Sequence, residues 1–246
     1  MSKRKNKISE KDRAIPNSIA SKLFRIKQNQ LKMIDRRGYE IPEDEEWILR
    51  SGTKEENKQI EDYFIQGFKQ HAVDNNMSFR TALNKIYYND LDEKLLVYYA
   101  NITATKMGIS EVRYMVQIME NEGIRNAIII TSKPVGPDAK KELNSLIAYN
   151  IQTFLEEEMA YDPTIHILVP KHEPLSKTEQ QEFLQNKNIS IDQLPMIKST
   201  DIMARYYGMR PGRIFKITRT NYYGSMVTES VAYKVIKDLN FDTKVK

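Results

Sequence analysis

The run Ala127-Ile128-Ile129-Ile130 restricts the fold of this chain more than any other feature. It sits at the centre of Ile124 to Thr131 and reads as a strand covered on both faces. Upstream, Leu95-Leu96-Val97-Tyr98-Tyr99 has strand length and strand composition. Between the two, Val112, Met115, Val116 and Met119 recur at helical spacing, with Ser110 as the expected cap and Gly123 as the stop. The methionines serve there as core filler. Downstream, a turn through Pro134, Gly136 and Pro137 opens a helix expected to turn Leu143, Leu146 and Ile147 inward, and Ile151 to Leu155 forms a further strand. Strand, helix, strand, helix, strand predicts a layered α/β domain with partly parallel strands.

Helices precede this core. Asn17 or Ser18 is expected to cap a helix carrying Ile19, Leu23, Ile26, Leu31 and Ile34 on one face, ended by Gly38 in a left-handed turn. After a loop at Ser51-Gly52, a second pattern runs through Ile60, Tyr63, Phe64, Phe68 and His71, with His71 expected to be partly buried. Residues 1–16, rich in Lys and Arg, read as a disordered basic arm. The first domain therefore spans 17–159.

The cluster Glu156-Glu157-Glu158 and the turn Asp162-Pro163 suggest a boundary, and a small α+β domain occupies 160–246. Its expected elements are a strand over Ile165 to Val169, a helix opened by the capping box Ser176-Lys177-Thr178-Glu179, and a short helix from a Thr200 cap to Tyr207, stopped by Gly208. After the Arg210-Pro211-Gly212 turn, the strand Ile214 to Ile217 pairs, across a loop containing Gly224, with the alternating run Val227, Glu229, Val231, Tyr233, Val235.

Composition removes several classes of function. The chain has no cysteine and only three histidines, His71, His166 and His172, so disulfides, thiol catalysis and zinc sites built on Cys are excluded, and no metal or other cofactor is expected. The longest apolar run is far short of the roughly 20 residues that cross a bilayer. The amino terminus lacks the apolar core of a secretory signal, so the expected location is intracellular. With 40% hydrophobic and 29% charged residues the composition suits a globular protein, and the net charge of +5 leans toward an acidic partner.

No glycine-rich phosphate cradle is present, and Gly224-Ser225 lacks the second glycine of a nucleophile elbow. Asp92-Glu93-Lys94, and Asp138 with Lys140, have the residue types of a magnesium-dependent nuclease, in which acids hold the metal and lysine stabilises the attacking group. A solvated loop and a helix dipole explain the same residues. Between Pro195 and Lys237, basic residues outnumber acidic ones and tyrosines are interleaved. Such a surface suits phosphates and partner carboxylates equally.

The segment LPMIKSTDIMARYYGMRPGRIFKITR, Leu194 to Arg219, resembles the carboxy-terminal domain of the fifth shared subunit of eukaryotic nuclear RNA polymerases, a domain that the archaeal member of the family also has. The resemblance rests on Leu194-Pro195, Asp201 with Ala204-Arg205, Tyr206-Tyr207-Gly208, and Gly212 leading to Lys216-Ile217. His166 with Leu168-Val169-Pro170-Lys171-His172 resembles that domain's opening strand. Phe24-Arg25-Ile26, Asp35-Arg36-Arg37-Gly38-Tyr39, Met107-Gly108-Ile109 and Met119 to Ile124 extend the likeness into the jaw domain of the eukaryotic form, which the archaeal member lacks.

The resemblance implies an amino-terminal jaw with a restriction-endonuclease-like, inactive fold beside downstream DNA, and a carboxy-terminal assembly domain docked on the largest polymerase subunit. It implies a non-catalytic subunit whose partners are the polymerase subunits and downstream double-stranded DNA, with no membrane and no free homo-oligomer. Lys133, Pro137, Lys140 and Lys141 become the DNA-proximal residues. His172, Arg205, Tyr206, Gly208, Gly212 and Arg213 become assembly residues. Three departures stand out: Ile202 where proline is usual, Asp138 where serine is usual, and Thr220 to Thr228 in place of a shorter hairpin. Together with the Lys-, Asn- and Ile-rich composition they fit a large DNA virus or an AT-rich eukaryote. The implied location is the nucleus for a cellular protein, and the host cytoplasm or the virion for a viral one.

Overall fold

A computed structural model of the chain describes residues 16–223 and 226–238. The basic arm, up to residue 15, and Gly224 in the hairpin loop lie outside them. Contacts divide the chain into two compact units, Met1–Tyr161 and Asp162–Lys246.

In the first unit α1 (Asn17–Arg36), α2 (Glu43–Glu46), a 3-10 turn (Trp47–Leu49), α3 (Lys54–Asp74) and α4 (Phe79–Ala82) precede β1 (Lys85–Tyr88) and β2 (Lys94–Ala100). Then come α5 (Ile109–Glu122), β3 (Asn126–Thr131), α6 (Pro137–Ser145), β4 (Asn150–Leu155) and α7 (Glu156–Met159). The sheet order is β1-β2-β3-β4, with β1 antiparallel to β2 and the other pairs parallel. Alternation along each strand sends side chains to opposite faces. Leu96, Tyr98, Ala127 and Ile129 pack with Val112, Met115 and Met119 of α5. The alternate residues look the other way: Tyr99 donates its phenol to Gln30 of α1 at 3.3 Å, and the Tyr87 phenol accepts from Lys27 of α1 at 2.7 Å. The sheet is thus sandwiched between two helical layers, as the buried run in β3 requires.

Gly123 (φ +67°) and Gly38 (φ +80°) close α5 and α1 in the left-handed turns expected of them. The caps differ from expectation. Helix α1 begins at Asn17 itself behind Pro16, and α5 behind Gly108 with Ser110 already inside, so neither Asn17, Ser18 nor Ser110 caps through its side chain. His71 is exposed on α3, because the buried stripe of that helix runs through Phe64, Ile65 and Ala72. Ile147 is 91% exposed: α6 ends at Ser145, and the chain turns before Ile147 reaches the core. Glu156 of the acidic cluster is buried, 2.7 Å from Arg80 and 3.7 Å from Lys22.

In the second unit a 3-10 turn (Pro163–Ile165) leads to β5 (Lys171–Pro174), α8 (Lys177–Lys187), β6 (Met196–Lys198), α9 (Ile202–Tyr206), β7 (Ile214–Tyr223) and β8 (Met226–Lys237). The sheet order is β5-β7-β8-β6. One face carries Phe215, Ile217 and Ile236 against Ala204, the other Ile214 and Val235 against Leu175, Phe183 and Leu184. The Ser176–Glu179 capping box forms as expected. The strand expected over Ile165 to Val169 does not. Asp162 accepts from the Thr164 amide and hydroxyl, Pro163 and Pro170 restrict pairing, and Ile165, Ile167 and Leu168 are exposed. The strand starts instead at Lys171, opposite Thr218. Asp201, not Thr200, caps α9, accepting from the Met203 amide at 2.8 Å.

Candidate nucleic-acid interface and assembly surface

The turn between β3 and α6 is held from both sides. The Thr131 hydroxyl donates to the Lys133 carbonyl at 2.8 Å, the Met107 amide donates to the Pro134 carbonyl at 2.9 Å, and the Gly136 amide donates to the Met107 carbonyl at 2.9 Å. A Cβ on Gly136 would lie 2.9 Å from the Met107 carbonyl oxygen, so the close approach of the two segments needs glycine. Pro137 takes the first helical position and Asp138 the first turn, where its charge complements the helix dipole. Lys133, Pro137, Asp138, Lys140 and Lys141 are all exposed, and the three lysines form no ion pair with a described residue. The result is a rigid turn presenting three free ammonium groups and one carboxylate.

The acid-and-lysine sets that suggested a nuclease are not brought together. Asp92 lies in the β1–β2 turn with φ +55°, and Lys94 at the start of β2 donates to the Glu122 carbonyl at 2.9 Å. Asp138 and Lys140 follow the end of β3, and since β2 and β3 are parallel these sets sit at opposite ends of the sheet. Among the described residues no three His, Cys, Asp or Glu side chains are grouped to hold a metal.

The six assembly candidates gather around one end of the second sheet and one helix. The His172 ring is largely buried, edge-on to Phe215 at 5.3 Å, with Nδ1 2.8 Å from the Pro170 carbonyl. Burial pulls its pKa below the usual imidazole value, against the raising effect of the Pro170 bond. Tyr206 is buried beside the Tyr207 ring. Gly208 (φ +62°) and Gly212 (φ +84°) occupy left-handed turns that side chains rarely adopt, and the Gly212 amide donates to the Ile236 carbonyl at 2.9 Å. Arg213 is partly buried and donates to the Leu175 carbonyl; Arg205 is partly buried and reaches the Thr200 carbonyl at 3.3 Å. Most of this constellation therefore shapes the unit, and the arginines are its only charged side chains with solvent-facing surface.

Residues 161–236 match the family described as RNA polymerase Rpb5, C-terminal domain. The carboxy-terminal unit is similar to the Rpb5 C-terminal domain over these residues. The likeness read from Leu194 to Arg219 is thereby borne out, and it continues outside the Rpb5 domain. Over 204 residues, 80% of this chain and 89% of the relative, the sequence is 28% identical to DNA-directed RNA polymerases I, II, and III subunit RPABC1 of Caenorhabditis briggsae. It is 29% identical over 163 residues to the corresponding Dictyostelium discoideum subunit, covering 64% of this chain and 82% of that protein. It is 24% identical over 211 residues to DNA-directed RNA polymerase V subunit 5A of Arabidopsis thaliana, covering 85% and 86%. Matches of 204 and 211 residues exceed what the Rpb5 domain alone contains, so the first unit shares the relationship.

Sequence reasoning missed the buried polar centre of the first unit. Lys27, Glu45 and Tyr87 converge from α1, α2 and β1, with the Tyr87 hydroxyl donating to Glu45 at 2.6 Å. Nothing local marks Lys27 or Glu45 as interior, although Lys27 does fall on the apolar stripe of α1 beside Leu23, Ile26 and Leu31.

Proposed function

We propose that the chain is a non-catalytic subunit of a multi-subunit DNA-dependent RNA polymerase, with its carboxy-terminal unit docked on the largest subunit and its amino-terminal unit forming part of a jaw around downstream DNA. The match to the Rpb5 C-terminal domain at residues 161–236, within a likeness to polymerase subunits that spans most of the chain, carries this reading. The three-layer first unit, with a mixed sheet between helices and no grouped metal ligands among its described residues, fits an inactive scaffold of the restriction-endonuclease kind. Lys133, Lys140 and Lys141, free and exposed on a braced turn beside Pro137, suit sequence-neutral contact with DNA phosphates, which position a duplex without reading it. In the second unit Arg205 and Arg213 offer guanidinium groups to the largest subunit, while His172, Tyr206, Gly208 and Gly212 set the shape that presents them. The site of action is the nucleus for a cellular protein, or the viral factory or virion for a viral one.

Purification of the tagged protein from its source tests the assignment. Co-elution with the two largest polymerase subunits is expected. A monomer that cleaves DNA with magnesium overturns it.

A further inference from the structure

Arg25, Lys32, Arg50, Lys54 and Lys58, on α1, α3 and the connection between α2 and α3, ring a groove of about 410 Å³ floored by Phe24 and Leu49. All five cations are exposed, and none forms an ion pair with a described residue. A single acid, Glu61, stands in the groove wall. Crowded, uncompensated like charge opposes folding and attracts an external counter-charge.

The groove has two neighbouring depressions. Through Arg50 and Ser51 it joins a depression of about 440 Å³ lined by Trp47, Ile60 and Tyr63, in which the Tyr63 side chain is two-thirds exposed and meets the Trp47 ring edge-on at 5.0 Å. Through Arg25 it joins another of about 240 Å³ beside Lys22 and Tyr161, itself 79% exposed. The connecting loop is fixed. Gly52 and Asn57 exchange two hydrogen bonds of 3.1 Å, and Thr53 forms a capping box with Glu56. The surface is therefore pre-formed, and binding costs little ordering of the loop. It belongs to the helical layer on the face of the sheet opposite α5 and α6, so it is not an extension of the Lys133 to Lys141 turn.

We propose that this groove docks an acidic peptide segment of a partner protein, its carboxylates on the five cations and a bulky apolar side chain in the Trp47–Tyr63 depression. A nucleic-acid strand fits less well. Each concavity places one carboxylate, Glu56, Glu61 or Glu157, in its wall, where a continuous phosphate backbone would meet repulsion. The Trp47 and Tyr63 rings stand edge to face and do not form a parallel stacking platform. A peptide alternating carboxylates with apolar anchors satisfies both the charge and the depressions.

Trp47 is the only tryptophan of the chain and lines the apolar depression, so its emission reports occupancy directly. The full-length protein is titrated with a labelled short peptide of Asp and Glu around a pair of leucines, with its leucine-to-serine counterpart, and with a labelled oligonucleotide of equal charge. The leucine peptide is expected to bind saturably and shift the Trp47 emission. Lys54→Glu with Lys58→Glu weakens it by roughly tenfold or more, as expected for lost charge complementarity. Tyr63→Ala weakens the leucine peptide but not the serine control, and Lys140→Glu with Lys141→Glu changes neither. All the altered side chains are exposed, so an unchanged unfolding midpoint verifies the fold. Peptide binding indifferent to the Lys54 and Lys58 reversals overturns the proposal. So does an oligonucleotide that binds more tightly than the peptide and is lost on the same reversals.

Discussion

The ammonium of Lys27 and the carboxylate of Glu45 meet at 2.9 Å with both side chains withdrawn from solvent. The Tyr87 phenol completes the set, accepting from Lys27 and donating to Glu45. Burial pulls the Lys27 pKa down, and the adjacent Glu45 opposes the shift. Removing Glu45 leaves the Lys27 ammonium buried without an ion-pair partner among the described residues, and removing Lys27 leaves the buried Glu45 carboxylate with only the longer 3.7 Å contact to Lys85. Lys27→Met or Glu45→Gln alone is expected to cost about 3–5 kcal/mol, and the double variant less than the sum of the two. Urea denaturation followed by Trp47 emission, which reports the first unit, measures it.

His172 makes the second unit sensitive to acid. Its folded pKa lies below the usual value because burial disfavours the charged ring. Between the two pKa values the unfolded chain binds more protons, so this contribution to stability falls as pH drops below about 6.5. Hydrogen exchange of the β7 amides is expected to accelerate on acidification through that range, and His172→Phe flattens the response. A response as steep in the variant as in the wild type rejects the assignment to His172.

Asp201→Ala is expected to destabilise the second unit by about 1 kcal/mol, the usual cost of a lost cap. Thr200→Ala, at an exposed residue whose side chain caps nothing, is expected to stay within about 0.5 kcal/mol of wild type. Exchange of the amides around Met203 discriminates the two variants.

Lys140→Glu with Lys141→Glu tests the turn after β3 in the assembled polymerase. Loss of two phosphate contacts is expected to weaken downstream DNA engagement and reduce the salt slope by about 2, with subunit composition unchanged. DNA engagement that keeps its wild-type affinity and salt slope rejects the role proposed for this turn.

Local sequence carries much of the architecture. The apolar runs of β2 and β3 and the stripe of α5 with its Gly123 stop are short-range patterns, and their elements form where those patterns lie. The departures have a common cause. Ile165, Ile167 and Leu168 have the composition of a strand, yet the strand is Lys171–Pro174, a polar segment paired to the edge of β7 and selected by a partner more than forty residues away. Strand β1, Lys85–Tyr88, has strand composition but only four residues, too few to be read alone, and its limits are set by register with β2. The caps differ by one or two residues: at α9 Asp201 takes the role from the neighbouring Thr200, two residues that compete locally for the same backbone amides, whereas α1 and α5 begin behind Pro16 and Gly108 with the expected capping side chains already inside the helix.

Periodicity and residues adjacent in the chain are enough to specify the parallel core of the first unit, the hairpin of the second, and the stretch Leu194 to Arg219 that ties the chain to polymerase subunits. Three-dimensional packing was needed to establish that Lys27 is interior, that His172 and Tyr206 are buried, and that Arg25, Arg50 and Lys54 share one groove. A charge on a helix reads the same whether it faces water or a carboxylate brought in by a distant segment, and long-range contacts alone distinguish the two.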